Sequence, residues 1–222
     1  MKPVICCRTN NPFQISDFEI EYCAQNGVPL PTLHPNERLR DMFSFGSLTH
    51  LHRGVCSETG KKLLTFVAPE KGRKIIDVEL WAKESWDQTQ FGRPYDFTKS
   101  FFEQLFDLAK DVPLPNLEVS PQSLENSDFV HGVVGAKNCY LLFGASEGVD
   151  CLYSRYLFRS RDIMDCLIVF DCELCYDCVQ IRNCYSLLCS ENCEQCSDSA
   201  FLSNCRRCLN CFGCVNLATA HI

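Results

Sequence analysis

From residue 139 onward, apolar and polar positions alternate with a period of three. Cutting the chain every nine residues gives CYLLFGASE, GVDCLYSRY, LFRSRDIMD, CLIVFDCEL, CYDCVQIRN, CYSLLCSEN, CEQCSDSAF, LSNCRRCLN and CFGCVNLAT. Positions one, four and seven hold only Cys, Leu, Ile, Val, Ser, Ala or Gly, and the charges fall between them. Such a separation marks a buried stripe with a solvated exterior. A period of three is neither helical nor that of a flat strand. It fits a narrow parallel solenoid whose short sides each send one residue inward and then turn. A nine-residue coil is very tight, so the pattern predicts two units, about 18 residues, per coil, with coils ~4.8 Å apart. Cys139, Leu157, Cys175, Cys193 and Cys211 are then expected to stack. Asn138, Asn183, Asn192 and Asn210 each precede an inward slot and read as corners, because Asn tolerates left-handed backbone. Tyr140, Phe158, Tyr176 and Phe212, spaced by multiples of 18, are expected to form one aromatic ladder on a single face.

Residues 1–125 read as an α+β domain ahead of an all-β solenoid over 126–219, a β-helix or β-roll in character. Ser16 or Asp17 starts a helix through Gln25, closed by Asn26-Gly27. Asn36 is placed to cap ERLRDMFSF. Lys62–Ala68 and Lys74–Leu80 read as a hairpin around PEKGR. Over 100–111, Ser100 and Glu103 match a capping box, and Phe101, Phe102, Leu105, Phe106 and Leu108 give a wide apolar face.

Composition narrows the classes. The chain has 222 residues and a formal net charge of −7, spread over both halves, with no Lys/Arg run. A nucleic-acid footprint is therefore not expected; Arg155, Arg159 and Arg161 read as ordinary outward residues. The N-terminus has no apolar leader segment and no window approaches a membrane span. The expectation is a cytoplasmic protein with no membrane contact, whose eighteen cysteines are mostly reduced. Because the chain stops at Ala220-His221-Ile222 without a polar cap, the open solenoid end predicts a protein partner or self-association.

Thirteen of the fourteen cysteines from 139 to 214 share the inward frame, interchangeably with Leu, Ile and Val. Core positions tolerate that exchange and metal ligands do not. The thiols therefore read first as packing atoms. The rival reading is metal: Cys205, Cys208, Cys211 and Cys214 resemble an iron–sulfur run in spacing, without its x3 step and proline. Cys6-Cys7-Arg8-Thr9-Asn10 and Cys56-Ser57-Glu58-Thr59-Gly60 look like zinc knuckles with Thr in place of the second Cys, so Cys6, Cys56 and His34 are candidate zinc ligands. Cys189, outside the frame, is the candidate reactive thiol, and a thiol redox enzyme is the weakest alternative. No catalytic residue and no cofactor-binding residue is assigned.

The stretches FGRPYDFTKSFFEQLFDLAKDVP, NSDF, KNCYLLF, CELCYDC and NCEQCSDSAFLSNCRRCLNCFGCVNL resemble an uncharacterised cysteine-rich repeat family of candidate-phyla bacteria, some of whose members carry a CaiB/BaiF label. The resemblance implies two zinc ribbons ahead of the repeat, with chains that run on past FGCVNL. This sequence departs from it at Thr9, Thr59 and His34-Pro35-Asn36-Glu37, a degenerate ribbon. The expected function is a non-enzymatic solenoid scaffold or protein-interaction module, with metal binding as the alternative.

Overall fold

The computed structural model describes residues 1–44, 49–83 and 86–217. The chain forms two compact units, Met1–Ser47 and Leu48–Ile222. The first opens with an antiparallel hairpin, β1 (Lys2–Ile5) and β2 (Pro12–Ile15), followed by α1 (Asp17–Asn26) and α2 (Pro35–Ser44). The expected first helix is present with its signals. The Ser16 hydroxyl accepts the Glu19 N–H, the Glu19 carboxylate accepts the Ser16 N–H, and Gly27 closes the helix at φ 63°. The second helix starts earlier than expected. Pro35 takes the first turn, and the His34 ring nitrogen Nδ1 accepts the Asn36 N–H at 3.1 Å, so His34 does the capping expected of Asn36. Phe45, the end of the expected helix, lies outside the described residues.

The second unit begins with the hairpin of β3 (His52–Val55) and β4 (Lys62–Thr65), then β5 (Ile75–Ile76), α3 (Val78–Trp81), α4 (Phe101–Asp111) and β6 (Leu114–Pro115). The hairpin expected between 62–68 and 74–80 does not form. Lys62–Thr65 pairs back onto His52–Val55, Ile75–Ile76 runs parallel to Leu114–Pro115, and the Asp77 side chain caps a helix over the rest. PEKGR is a turn, with Gly72 at φ 58°. The Ser100 hydroxyl accepts the Glu103 N–H at 3.2 Å and starts α4, whose Phe101, Phe102, Leu105 and Phe106 are all exposed.

The expected domain boundary at 125/126 falls inside this second unit, where His131 joins the region before the repeat to the first coil and Asn116 ties that region together. The Asn116 amide accepts the Val78 N–H at 2.7 Å and donates to the Leu64 carbonyl at 2.7 Å. The His131 ring stacks on Phe66 with 4.5 Å between centroids and accepts the Glu118 N–H through Nδ1.

From Leu124 the chain winds as a parallel β-solenoid, as the period of three requires. The coil is twelve residues long, not eighteen: Leu167 pairs with Arg155 and Val179, and Glu173 with Arg161 and Tyr185. Each coil has four walls of three residues: one inward, one outward, and one in the left-handed region that turns the corner. That third residue has positive φ almost throughout, including the expected Asn138 (53°), Asn183 (53°), Asn192 (55°) and Asn210 (52°). Aspartates 150, 162, 165, 171, 177 and 198 do the same work. Tyr153, Ile168 and Phe201 also adopt it, at an energetic cost, because side chains without a short polar arm disfavour this region.

The nine-residue repeat fails as the geometric unit because only the three-residue step is structural. Thirty-six residues are both two windings of eighteen and three of twelve. Alternate members of the expected columns therefore do stack: Cys139, Cys175 and Cys211 share one wall, while Leu157 and Cys193 lie on another, with Val169 and Ile181 above Leu157.

The backbone ladder explains why Ser and Cys share the interior. Outward residues donate to the inward carbonyl of the coil above, as from Arg161 to Cys172 and Glu173 to Cys184, both at 3.0 Å. Corner residues donate to the outward carbonyl below, as from Asp171 to Phe158 at 2.9 Å. At several inward positions the N–H is met by a Ser or Cys side chain directly beneath it. The Cys166 N–H donates to Ser154 Oγ at 3.0 Å, Cys211 to Ser199 Oγ at 3.0 Å, and Cys178 and Cys184 to the sulfurs of Cys166 and Cys172 at 3.4 Å. The same hydroxyl or thiol donates to the carbonyl two residues earlier, Ser154 to Leu152 at 2.8 Å and Cys172 to Phe170 at 3.1 Å. Small size is only half of the reason for cysteine; the other half is a side chain that both donates and accepts.

Candidate functional site

The two knuckle-like turns have the same construction. Cys6 and Cys56 end one strand of a hairpin, and the turn closes through Asn10 N–H to the Cys6 carbonyl (3.0 Å) and Gly60 N–H to the Cys56 carbonyl (2.9 Å). Thr9 and Thr59 stand where a second zinc thiolate would be, and each hydroxyl accepts a backbone N–H, from Asn11 and Lys61. A third segment crosses each turn: Cys7 N–H reaches the Thr32 carbonyl, and Ser57 N–H reaches the Ile75 carbonyl. Both sulfurs are buried and receive donors from this surround. The His34 backbone N–H, then the Thr9 hydroxyl, pull the Cys6 thiol down to about 7. Burial pushes Cys56 up, but the Thr59 hydroxyl and the N–H groups of Asp77, Glu58 and Thr59 outweigh it and leave it lowered. The Asp77 N–H lies 3.4 Å from Cys56 Sγ.

Several polar groups around these turns already have partners within the protein. His34 uses Nδ1 to cap α2, and the buried Glu37 carboxylate is held by Arg8 (3.3 Å) and Arg40 (2.7 Å). Asp77 is paired with Lys61 at 2.8 Å. Donors that would face a cation face cations of the protein instead. Among the described residues, no group of three or more Cys, His, Asp or Glu side chains is arranged to hold a metal ion.

Cys205, Cys208, Cys211 and Cys214 each come from a different wall, and three of their sulfurs bond to carbonyls: Cys205 to Cys214 O (3.2 Å), Cys211 to Leu209 O (3.3 Å) and Cys214 to Phe212 O (3.7 Å). Burial first, then the neighbouring sulfurs of Cys196 and Cys205, push Cys208 up to about 12, and contact with Cys175 does the same for Cys172. Thiols that fill hydrogen-bonding slots suit a core. Cys189 sits at a corner with φ 47° and is partly exposed. Burial and the Asp177 carboxylate, one coil earlier on the same corner, raise its thiol and keep it protonated, which disfavours it as a nucleophile.

The solenoid's outer surface divides the four expected ladder aromatics. Tyr140, Tyr176 and Phe212 share one wall, with Met164 and Leu188 between them and Phe129, Tyr153 and Phe201 on the adjoining corner. Phe129–Tyr140 (5.4 Å), Tyr140–Tyr153 (5.7 Å) and Phe201–Phe212 (5.4 Å) meet edge to face. Phe158 lies on a different wall, beside Phe170 and under the Arg159 guanidinium, 4.5 Å from its ring. A step of eighteen is one and a half coils and alternates between opposite walls, which separates Phe158 from the other three. A step of thirteen from Tyr140 finds Tyr153, and a step of eleven back from Phe212 finds Phe201, each one residue off the twelve-residue coil.

Fold and sites together define a twelve-residue parallel β-solenoid protein with a thiol- and hydroxyl-lined interior, preceded by two cysteine-turn hairpins. No family model and no curated protein matches this chain. No described helix is long and apolar enough to cross a membrane. Ala220-His221-Ile222, on which the expectation of an open solenoid end rested, lies outside the described residues.

Proposed function

We propose that this protein is a non-enzymatic scaffold that presents the Tyr140–Tyr176–Phe212 wall to a protein partner. The observation that carries the reading is this wall's exposure: Tyr140 is 37%, Tyr176 45% and Phe212 78% accessible, on a parallel β frame. Aromatic side chains bury large areas at little entropic cost when a partner covers them, and contiguous exposed apolar patches mark interaction sites. Solenoids commonly work through such extended faces. The interior supports a structural role, since its thiols serve the backbone ladder. The degenerate turns fit descent from zinc-ribbon hairpins in which hydrogen bonds have taken over from the metal.

The test compares wild type, a Tyr140→Ser/Tyr176→Ser/Phe212→Ser variant and Phe158→Ser as a control on another wall. Each is immobilised, and the proteins retained from an extract of the source cells are quantified by mass spectrometry. A partner retained by wild type and Phe158→Ser but lost by the triple variant is the expected result. Equal retention by all three overturns the proposal. Sedimentation of the same variants distinguishes a second copy of this chain from a different partner.

A further inference from the structure

The sequence builds α4 with an apolar stripe, and that stripe points to water. Phe101, Phe102, Leu105 and Phe106 are between 44% and 69% exposed, and at 3.6 residues per turn they share one side of the helix. One edge of the stripe seats the helix on its own chain. Gln104, Leu108 and Asp111 lie along it and are half-buried, and Asp111 is held by Arg93 at 2.8 Å and Lys74 at 3.6 Å. The other edge carries Glu103 and Lys110, both exposed and about two turns apart.

Phe97 adds apolar surface at the start of the helix. It is 91% exposed, in a turn that Gln104 fastens to α4 by accepting the Asp96 N–H at 2.8 Å and donating to the Asp96 carbonyl at 2.9 Å. A fully covered side chain of this size buries ~200 Å². At the exposures seen, the five side chains offer roughly 600 Å² per copy, and two copies together roughly 1,200 Å², where specific interfaces begin. We propose that α4 is a dimerisation helix, pairing antiparallel with α4 of a second copy of this chain.

Charge selects both the occupant and the direction. In an antiparallel pair related by a two-fold axis, each edge of one helix meets the same edge of the other. Glu103 of each copy then faces Lys110 of the other, so two opposite-charge pairs close the free edge in a single register. A parallel pair would set this edge against the Gln104–Asp111 edge, which the chain itself already engages. Lys110 has its present partner in Asp107 at 3.0 Å, an exposed i,i+3 contact within the helix that contributes little and is readily exchanged. No residue of the Tyr140–Tyr176–Phe212 wall takes part, so this interface stands independently of the proposed function.

Sedimentation equilibrium of the full-length chain over a concentration series reads the dimer, with dithiothreitol present to exclude intermolecular disulfides. Wild type is expected to dimerise, and Phe102→Ser/Phe106→Ser to sediment as a monomer at every concentration. Glu103→Lys sets like charges opposite each other and is expected to raise the dimer Kd about tenfold. Adding Lys110→Glu to it is expected to bring the Kd back near the wild-type value, a rescue that only the antiparallel register provides. Tyr140→Ser/Tyr176→Ser/Phe212→Ser is expected to dimerise as wild type does, and circular dichroism checks that each variant keeps its fold. A monomeric wild type, a dimer that survives Phe102→Ser/Phe106→Ser or is lost with the wall variant, or a double exchange no tighter than Glu103→Lys overturns the inference.

Discussion

Replacing Ser154 by alanine separates two accounts of the solenoid interior. If inward residues are only small fillers, removing a buried hydroxyl is neutral or mildly stabilising. The structure argues otherwise. Ser154 is 3% exposed, its Oγ accepts the Cys166 N–H at 3.0 Å, and it donates to the Leu152 carbonyl at 2.8 Å. The Leu152 carbonyl keeps a bond from the Asp165 N–H at 3.3 Å, whereas the Cys166 N–H loses the acceptor that lies beneath it. A buried donor stripped of its partner costs about 1–3 kcal/mol. The sign, not only the size, differs between the two accounts. With a urea m-value of about 2–3 kcal/mol/M, the unfolding midpoint falls by roughly 0.3–1.5 M. Ser154→Cys is the companion. A sulfur fills the same role from Cys166 to the Cys178 N–H at 3.4 Å, so this variant stays within about 1 kcal/mol of wild type. Urea unfolding followed by circular dichroism at neutral pH reads both. A Ser154→Ala midpoint equal to or above wild type would refute the donor–acceptor account.

Three further outcomes are expected. Ile168 carries a β-branched side chain at φ 60°, so Ile168→Asn is expected to raise stability by about 1 kcal/mol, read as a higher melting temperature; a lower one would contradict the corner assignment. Burial lowers the His131 pKa below its ordinary 6.5, so the folded state holds fewer protons than the unfolded state once pH drops below that value. Its contribution is complete above pH 6.5 and is lost as pH falls through the depressed folded value, and His131→Gln should flatten the slope of urea midpoint against pH below 6.5; an unchanged slope assigns the effect elsewhere. Anaerobically purified protein is expected to carry less than one equivalent of zinc or iron with slowly reacting core thiols, and two or more metals per chain by elemental analysis would overturn the core reading.

The sequence alone determined that the second half is a solenoid. An inward frame free of charge and a period of three admit few other ways to bury the stripe, and asparagines ahead of inward slots marked the corners. It also located both cysteine turns and the caps at Ser16 and Ser100, because these depend on residues close in the chain. The winding number was beyond its reach. Equal three-residue steps repeat the same local signal whether four or six make a coil, and only the pairing of strands distinguishes Arg155 beneath Leu167 from any other neighbour. With the winding came everything that depends on which residues lie one coil apart: Phe158 leaving the aromatic wall, Asp177 beside Cys189, and Cys139 beneath Cys151. The strand at Lys62–Thr65 was likewise visible locally, while its partner, His52–Val55, was settled by long-range pairing. Local chemistry sets the step and the turn; which sulfurs, rings and carboxylates meet is decided by closure of the coil, because closure alone converts separation along the chain into distance.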